Sequence, residues 1–250
     1  MPSPARKVSP QELVERARRG YHAARSTYTQ RRGRADHVGL AIALRAALGP
    51  NDDAIDVGAH LGDVTRQLRE SSPRGRILAV EPLPHLAAAL RRELGASDPG
   101  VVVEECALTD GEPGEVEFLH VRNNPGYSGL RERDYPEAPD FERLTVRTRQ
   151  LDDLVEEHAL APRVIKIDVE GAELLVLRGA RRTIATHRPV IVVEHGSAAE
   201  GYGESPATFF DLCTELDLRI FNFDGDAPYT RDAFIAAVGP EGHFNFLLRP

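Results

Sequence analysis

Two short apolar runs, each closing on a carboxylate and joined through a glycine turn and a helical segment, constrain this chain more than any other feature. The first, Ala54-Ile55-Asp56-Val57, breaks into Gly58-Ala59-His60-Leu61-Gly62, with glycines four apart. The second, Arg76-Ile77-Leu78-Ala79-Val80, ends at Glu81-Pro82. Strand, glycine turn, helix, strand and acid is the order that builds a nucleotide-type ligand site at the carboxyl ends of parallel strands. Glycine lets the backbone approach a ligand closely, and Glu81 is placed to accept hydrogen bonds from a ribose diol.

The rest of the chain repeats the alternation. Strands are expected at 54–58, 76–81, 101–108, 164–168, 189–194, 218–223 and 244–248. Helices are expected at 36–48, 63–70, 83–94, 152–158, 172–186 and 206–216. Nearly continuous apolar strands separated by amphipathic helices make an α/β fold, a mostly parallel sheet covered on both faces. Segments 116–121 and 144–148 interrupt the pattern as an extra antiparallel pair. The polar loop between them, 122–143, is long enough to be a lid or substrate wall, and its Tyr127 and Ser128 are candidate substrate contacts or ordinary surface residues.

Composition narrows the class. At 250 residues, with 41% hydrophobic and 28% charged, the chain suits one soluble α/β unit. No apolar run approaches the roughly twenty residues that span a bilayer, and residues 1–11 lack the apolar stretch of a secretory leader. A cytoplasmic location with no membrane partner is therefore expected. Cys106 and Cys213, far apart in apolar contexts, read as reduced and buried. The net charge of −8 divides unevenly: residues 1–34 carry about +7 and the remainder about −15. The basic segment reads as a helix packed on the acidic body, or on a second subunit in a homo-oligomer. A phosphate backbone would be repelled by that body, so no nucleic-acid partner is expected.

The turn also selects the ligand. No G-x-G-x-x-G and no G-x-x-x-x-G-K-[ST] is present, and Asp56 on the strand would repel a pyrophosphate. A cationic adenosyl ligand, S-adenosylmethionine, suits the site better than NAD, and His60 in the turn would shape its pocket. Farther on, Lys166, Asp168 and Glu170 alternate on Val164-Ile165-Lys166-Ile167-Asp168-Val169-Glu170 and share one face of an extended segment. Such charges at a buried strand end must pair or bind something. They are expected at the reacting centre, the alternative being an ion pair bracing the sheet. Glu173 reads as a helix amino-terminal charge.

Taken together, Asp56-Val-Gly-Ala-His-Leu-Gly62, Glu81-Pro82, Lys166-Ile-Asp-Val-Glu-Gly-Ala-Glu173, Leu177-Arg178-Gly179-Ala180 and Val193-Glu194-His195 resemble the FkbM-type family of S-adenosylmethionine-dependent methyltransferases over about residues 52–250. The resemblance implies a class I methyltransferase (Rossmann-like) fold of seven strands, the last antiparallel. Residues 51–250 would form that domain and 1–50 a basic helical segment before it. It also implies methyl transfer to a hydroxyl of a small molecule such as a sugar or a polyketide-type natural product. Asp56, Gly58 and Gly62 would surround the methionine part of the cofactor, and Glu81 would take the ribose hydroxyls. Cys106 and Ala107, with Asp110 a weaker candidate, would lie near the adenine, and Asp168 beside the sulfonium and the entering hydroxyl. His60 stands where the family usually has asparagine.

A neutral alcohol needs a base within hydrogen-bond reach. His195 after the fifth parallel strand is the expected base, the alternative being a helix-side or loop histidine without a role; Asp168 is the other candidate, with Glu170 and Lys166 in support. Asp168, Glu170, Glu194 and His195 could instead gather a divalent cation, but no paired aspartates mark the fourth strand end, so no metal is assigned. An NAD-dependent oxidoreductase and a cofactor-binding module without turnover are the competing readings.

Overall fold

The computed structural model describes residues 32–133, 135, 138–223, 227–238 and 244–250. The basic segment 1–31 and any subunit contact it makes lie outside the described residues. Among the described residues no helix is long and apolar enough to cross a membrane.

The chain enters through α1 (Arg32–Ala47), then alternates: β1 (Asp53–Val57), α2 (Asp63–Ser71), β2 (Ile77–Val80), α3 (Pro84–Leu90) and β3 (Val101–Glu104). A short β4 (Ala107–Leu108) and two longer strands, β5 (Gly114–Val121) and β6 (Phe141–Arg149), follow. The alternation resumes with α4 (Leu151–Glu157), β7 (Pro162–Ile167), α5 (Glu173–Arg178), α6 (Arg181–His187) and β8 (Val190–Glu194). The chain closes with α7 (Pro206–Glu215), β9 (Arg219–Phe221), α8 (Arg231–Ala237) and β10 (Asn245–Arg249).

Seven strands form one sheet in the order β3-β2-β1-β7-β8-β10-β9, and β10 runs antiparallel to both of its neighbours. The strands are mostly apolar because helices cover both faces: Ile55, Leu78, Ile165 and Ile191 are all fully buried. Leu40 and Leu44 of α1, with Leu48 just after it, share a core with Ala54, Leu68, Ile77 and Val164, so this helix is built into the sheet's cover. The register sets up the site. Val57 pairs level with Val80 and with Ile167, and Ile167 with Val193. Gly58, Glu81, Asp168 and Glu194 therefore leave or end their strands at one height, along one edge of the sheet.

Three elements differ from expectation. The single strand expected at 101–108 is two, because the chain leaves the main sheet after Glu104 and β4 pairs with β6 in a second sheet of order β4-β6-β5. The helix expected at 172–186 breaks at Gly179-Ala180. A Cβ at Gly179 would stand 2.4 Å from Thr109 O, and Gly179 O accepts from Asp152 N. The buried Asp152 carboxylate then accepts from Arg182 N and Thr183 N at 2.9 and 2.8 Å, starting α6 anew. Helix α8 had no counterpart in the expected pattern. It is held by Phe234, fully buried among Phe209, Phe210, Tyr229 and Phe246.

Candidate active site

The turn after β1 takes three residues into the left-handed region: Gly58 (φ +81°), His60 (+49°) and Gly62 (+81°), the last being the N-cap of α2. At Gly58 glycine is required by space as well. A Cβ there would sit 1.8 Å from the carbonyl oxygen of Asp168, so β1 and β7 meet through this missing side chain.

Beneath the turn, Asp56 is 1% exposed and accepts a 2.6 Å hydrogen bond from Thr65 Oγ1. Burial pushes its carboxyl up to about 6, against the pull of the Thr65 hydroxyl and Lys166. Lys166, level with Asp56 on β7, is equally buried; its Nζ donates to Ile167 O at 3.1 Å and lies 3.5 Å from Asp168 Oδ2. Lys166 thus braces the strand end from behind.

Glu81 is held on both oxygens: Oε2 accepts from His60 N at 2.8 Å and Oε1 from Leu83 N at 2.9 Å. Burial pushes it up to about 7 in spite of those two donors. Two N–H groups leave spare acceptor capacity on a carboxylate, which is what a ribose diol would use. The residues present therefore fit an adenosyl ligand.

The sign of the pH effect follows. An acid whose folded pKa is raised holds its proton more tightly in the fold than in the unfolded chain. Its contribution to stability is complete below its unfolded pKa and is lost as pH rises through the folded value. With Asp56 at about 6 and Glu81 at about 7, the ligand-free protein is expected to lose stability between about pH 4 and about pH 7, by on the order of 3 kcal/mol for Glu81 alone. Melting curves of wild type and Glu81→Gln across that range check it. The variant should show the flatter profile, and parallel profiles would refute the assignment.

These groups open on one cleft of about 990 Å³, counted out to its open mouth. Val57, Gly58, Ala59 and His60 form its floor, and Leu83, Cys106, Ala107 and Phe118 an apolar slot beside Glu81. Across from it stand Asp168, Val169, Glu170 and Ala172, while Pro125, Gly126, Ser128 and Leu130 of the loop after β5 complete the wall. Among the described lining residues are the acids Asp63, Glu81, Asp168 and Glu170, and no lysine or arginine. The nearest guanidinium to Glu170, that of Arg133, is paired with it and lies over the Tyr127 ring at 5.1 Å. Burial and the neighbouring Asp168 push Glu170 well above its usual value, with Arg133 opposing.

Of the expected site residues, Gly58, His60, Glu81, Cys106, Ala107, Ser128, Asp168 and Glu170 line this cleft. Asp56, Gly62 and Lys166 stand behind its wall, and Asp110 is not part of it. Tyr127 does not line it either: its ring is engaged by Arg133 and by Tyr135 at 6.5 Å. His195 is a correction. Its side chain is fully buried, stacked on Phe209 at 4.1 Å and near Phe234 at 6.3 Å, with Nδ1 3.6 Å from Glu173 Oε2. A ring enclosed in that stack is not among the residues that line the cleft; of the two candidate bases, Asp168 is the one that lines it. Glu173, expected as a helix amino-terminal charge, opens α5 and is 2% exposed. Among the described residues, no group of three or more His, Cys, Asp or Glu side chains could hold a metal ion.

Sequence reasoning missed Leu83, Phe118 and Leu130. Phe118 could have been found from the alternation Val116, Phe118, His120 along β5, which sends one face inward. Nothing local marked Arg133 as the partner of Glu170.

Comparison with known proteins bears on this geometry. The pattern of the family described as the methyltransferase FkbM domain matches residues 56–223. The chain is 28% identical over 162 residues to methyltransferase sdnD of Sordaria araneosa, covering 54% of this chain and 62% of that protein. It is thus matched to less than two thirds of that relative's length. It is 27% identical over 183 residues to the 2-O-methyltransferase NoeI of Sinorhizobium fredii, covering 68% of this chain and 74% of the relative. Among solved structures, methyltransferase FkbM from Methylobacillus flagellatus superposes with a TM-score of 0.49 at 20% identity, over 81% of this chain and 44% of that one.

Proposed function

Because this chain belongs to the FkbM family of methyltransferases, we propose that it is an S-adenosylmethionine-dependent O-methyltransferase acting on a hydroxyl of an uncharged small molecule, such as a sugar or a polyketide-type natural product. One observation carries the reading: Gly58, Glu81 and Asp168 open at one height on a single cleft lined by acids and apolar groups. The 2-O-methyltransferase named among the relatives supports oxygen as the acceptor atom.

S-adenosylmethionine supplies, when bound, a methyl carbon made electrophilic by its sulfonium. The chain's own residues do the rest. Glu81 accepts from the ribose hydroxyls, and Leu83, Cys106, Ala107 and Phe118 exclude water from the adenine. Gly58 lets the backbone approach the methionine part, and Asp56 beneath it favours a cation there. Asp168 accepts the proton of the entering hydroxyl and holds its oxygen in line, a combination of general-base catalysis and orientation. Ser128 and Glu170, both lining the cleft, orient the remaining hydroxyls of the acceptor. A carboxylate or phosphate on the acceptor would enter a cleft whose described lining holds four acids and no cation, and burying an unpaired anion there is unfavourable.

The test is calorimetric titration with S-adenosylhomocysteine, with NAD as control, followed by label transfer from S-adenosylmethionine to neutral glycosides and polyols and to their uronate counterparts. Micromolar binding of S-adenosylhomocysteine alone, and labelling of neutral acceptors only, are expected. Binding of NAD instead, or failure to bind S-adenosylhomocysteine, would overturn the reading.

A further inference from the structure

The chain passes from β7 to α5 through Glu170 (φ +54°) and Gly171 (φ +105°), two left-handed residues in succession. That conformation is disfavoured for a residue with a side chain, so Glu170 is held in it by its surroundings. Gly171 is pressed against the helical turn Ser197–Tyr202: a Cβ there would lie 2.5 Å from Ala198 O and 2.8 Å from the Tyr202 ring. From the other side the turn is closed by a side chain, because Glu173 Oε1 accepts from Gly171 N at 2.8 Å.

The second oxygen of that carboxylate, Oε2, is buried and has no hydrogen-bond partner; neither has either ring nitrogen of His195. Two of these orphaned atoms, Glu173 Oε2 and His195 Nδ1, face each other at 3.6 Å. Buried polar atoms are seldom left unpaired, and closing this gap by a few tenths of an ångström makes a hydrogen bond. The imidazole is fixed for the purpose, stacked on Phe209 at 4.1 Å with its backbone N–H donating to Phe244 O at 2.7 Å.

We propose that His195 and Glu173 are a positioning pair: His195 donates its Nδ1–H to Glu173 Oε2, and Glu173 holds Gly171 N. The turn so fixed presents Asp168, Val169 and Glu170 to the cleft. Neither residue touches the bound molecules. The functional importance of the pair rests on the methyltransferase reading above; its geometry does not.

Long-range proton–nitrogen NMR of the labelled full chain, with His195 assigned through His195→Phe, reads the tautomer directly. A proton on Nδ1 is expected, and a ring protonated only at Nε2 overturns the pair. The second measurement is calorimetry with S-adenosylhomocysteine, alongside melting curves. In His195→Phe the phenyl ring preserves the aromatic stack but leaves Glu173 Oε2 buried without a donor, so melting should fall, and affinity should fall by about tenfold as the turn loses its support. Glu173→Gln keeps an oxygen for Gly171 N and should lose less affinity than Glu173→Ala. Unchanged affinity in a folded His195→Phe protein overturns the proposal. If wild type itself does not bind S-adenosylhomocysteine, the methyltransferase reading falls and the tautomer still decides the pair. If His195→Phe does not fold, Glu173→Gln supplies the assignment and the tautomer decides again.

Discussion

Replacing Asp168 with alanine is expected to lower methyl transfer by on the order of a thousandfold, the range of a lost general base that also orients the nucleophile. Asp168 lines the cleft, whereas the other titratable groups at this end of β7 are committed elsewhere. Lys166 is buried and bound to Ile167 O, and Glu170 is paired with Arg133. Asp168→Asn keeps the size and one acceptor oxygen but cannot take the proton, so it should be nearly as inactive while melting like wild type. Initial rates of label transfer to a responsive neutral acceptor, with S-adenosylhomocysteine affinity measured in parallel, check this. Wild-type turnover in Asp168→Ala would place the reacting centre elsewhere in the cleft.

The largest effect on stability is expected from Gly58→Ala. Its φ of +81° strains any residue with a Cβ, and the new methyl would stand 1.8 Å from Asp168 O. That oxygen is backbone, anchored because Asp168 N donates to Val57 O at 3.0 Å. Relief requires β1 and β7 to separate where they form the cleft floor. We expect a loss of at least about 3 kcal/mol, roughly 10 °C in melting temperature, together with loss of S-adenosylhomocysteine binding. Gly203→Ala is the control. Its φ is +73°, but nothing lies within 4 Å of the added methyl, so the strain acts alone and about 1 kcal/mol is expected. Equal melting of the two variants would mean that close approach at Gly58 is unimportant.

The parallel architecture and the chemistry-bearing strand ends were readable from residue order, because one-sided or two-sided burial imprints its period on the sequence. Runs such as Ala54–Val57 and Val164–Ile167, apolar except for one buried acid or lysine each, admit little besides a covered sheet. Glycine at 58 and 62 and the acid at 81 followed from the same local grammar, as did the resemblance to the FkbM-type methyltransferases. The shared face expected for 166, 168 and 170 did not hold, because the strand ends at Ile167 and Glu170 is left-handed (φ +54°).

What the tertiary structure alone decided is where side chains at those strand ends point and what encloses them. His195 follows a strand end as Asp168 does, yet it turns into the stack of Phe209 and Phe234, on the two α-helices that come after it. Glu173 turns inward to meet it, and Arg133 crosses from a distant loop to Glu170. The break at Gly179 exists because Thr109 O, some seventy positions away, fills the space a side chain would need. Burial period is a local property and survives in one dimension. The direction of a side chain beyond the end of a strand is set by neighbours brought there by the fold, so residue order alone could not supply it.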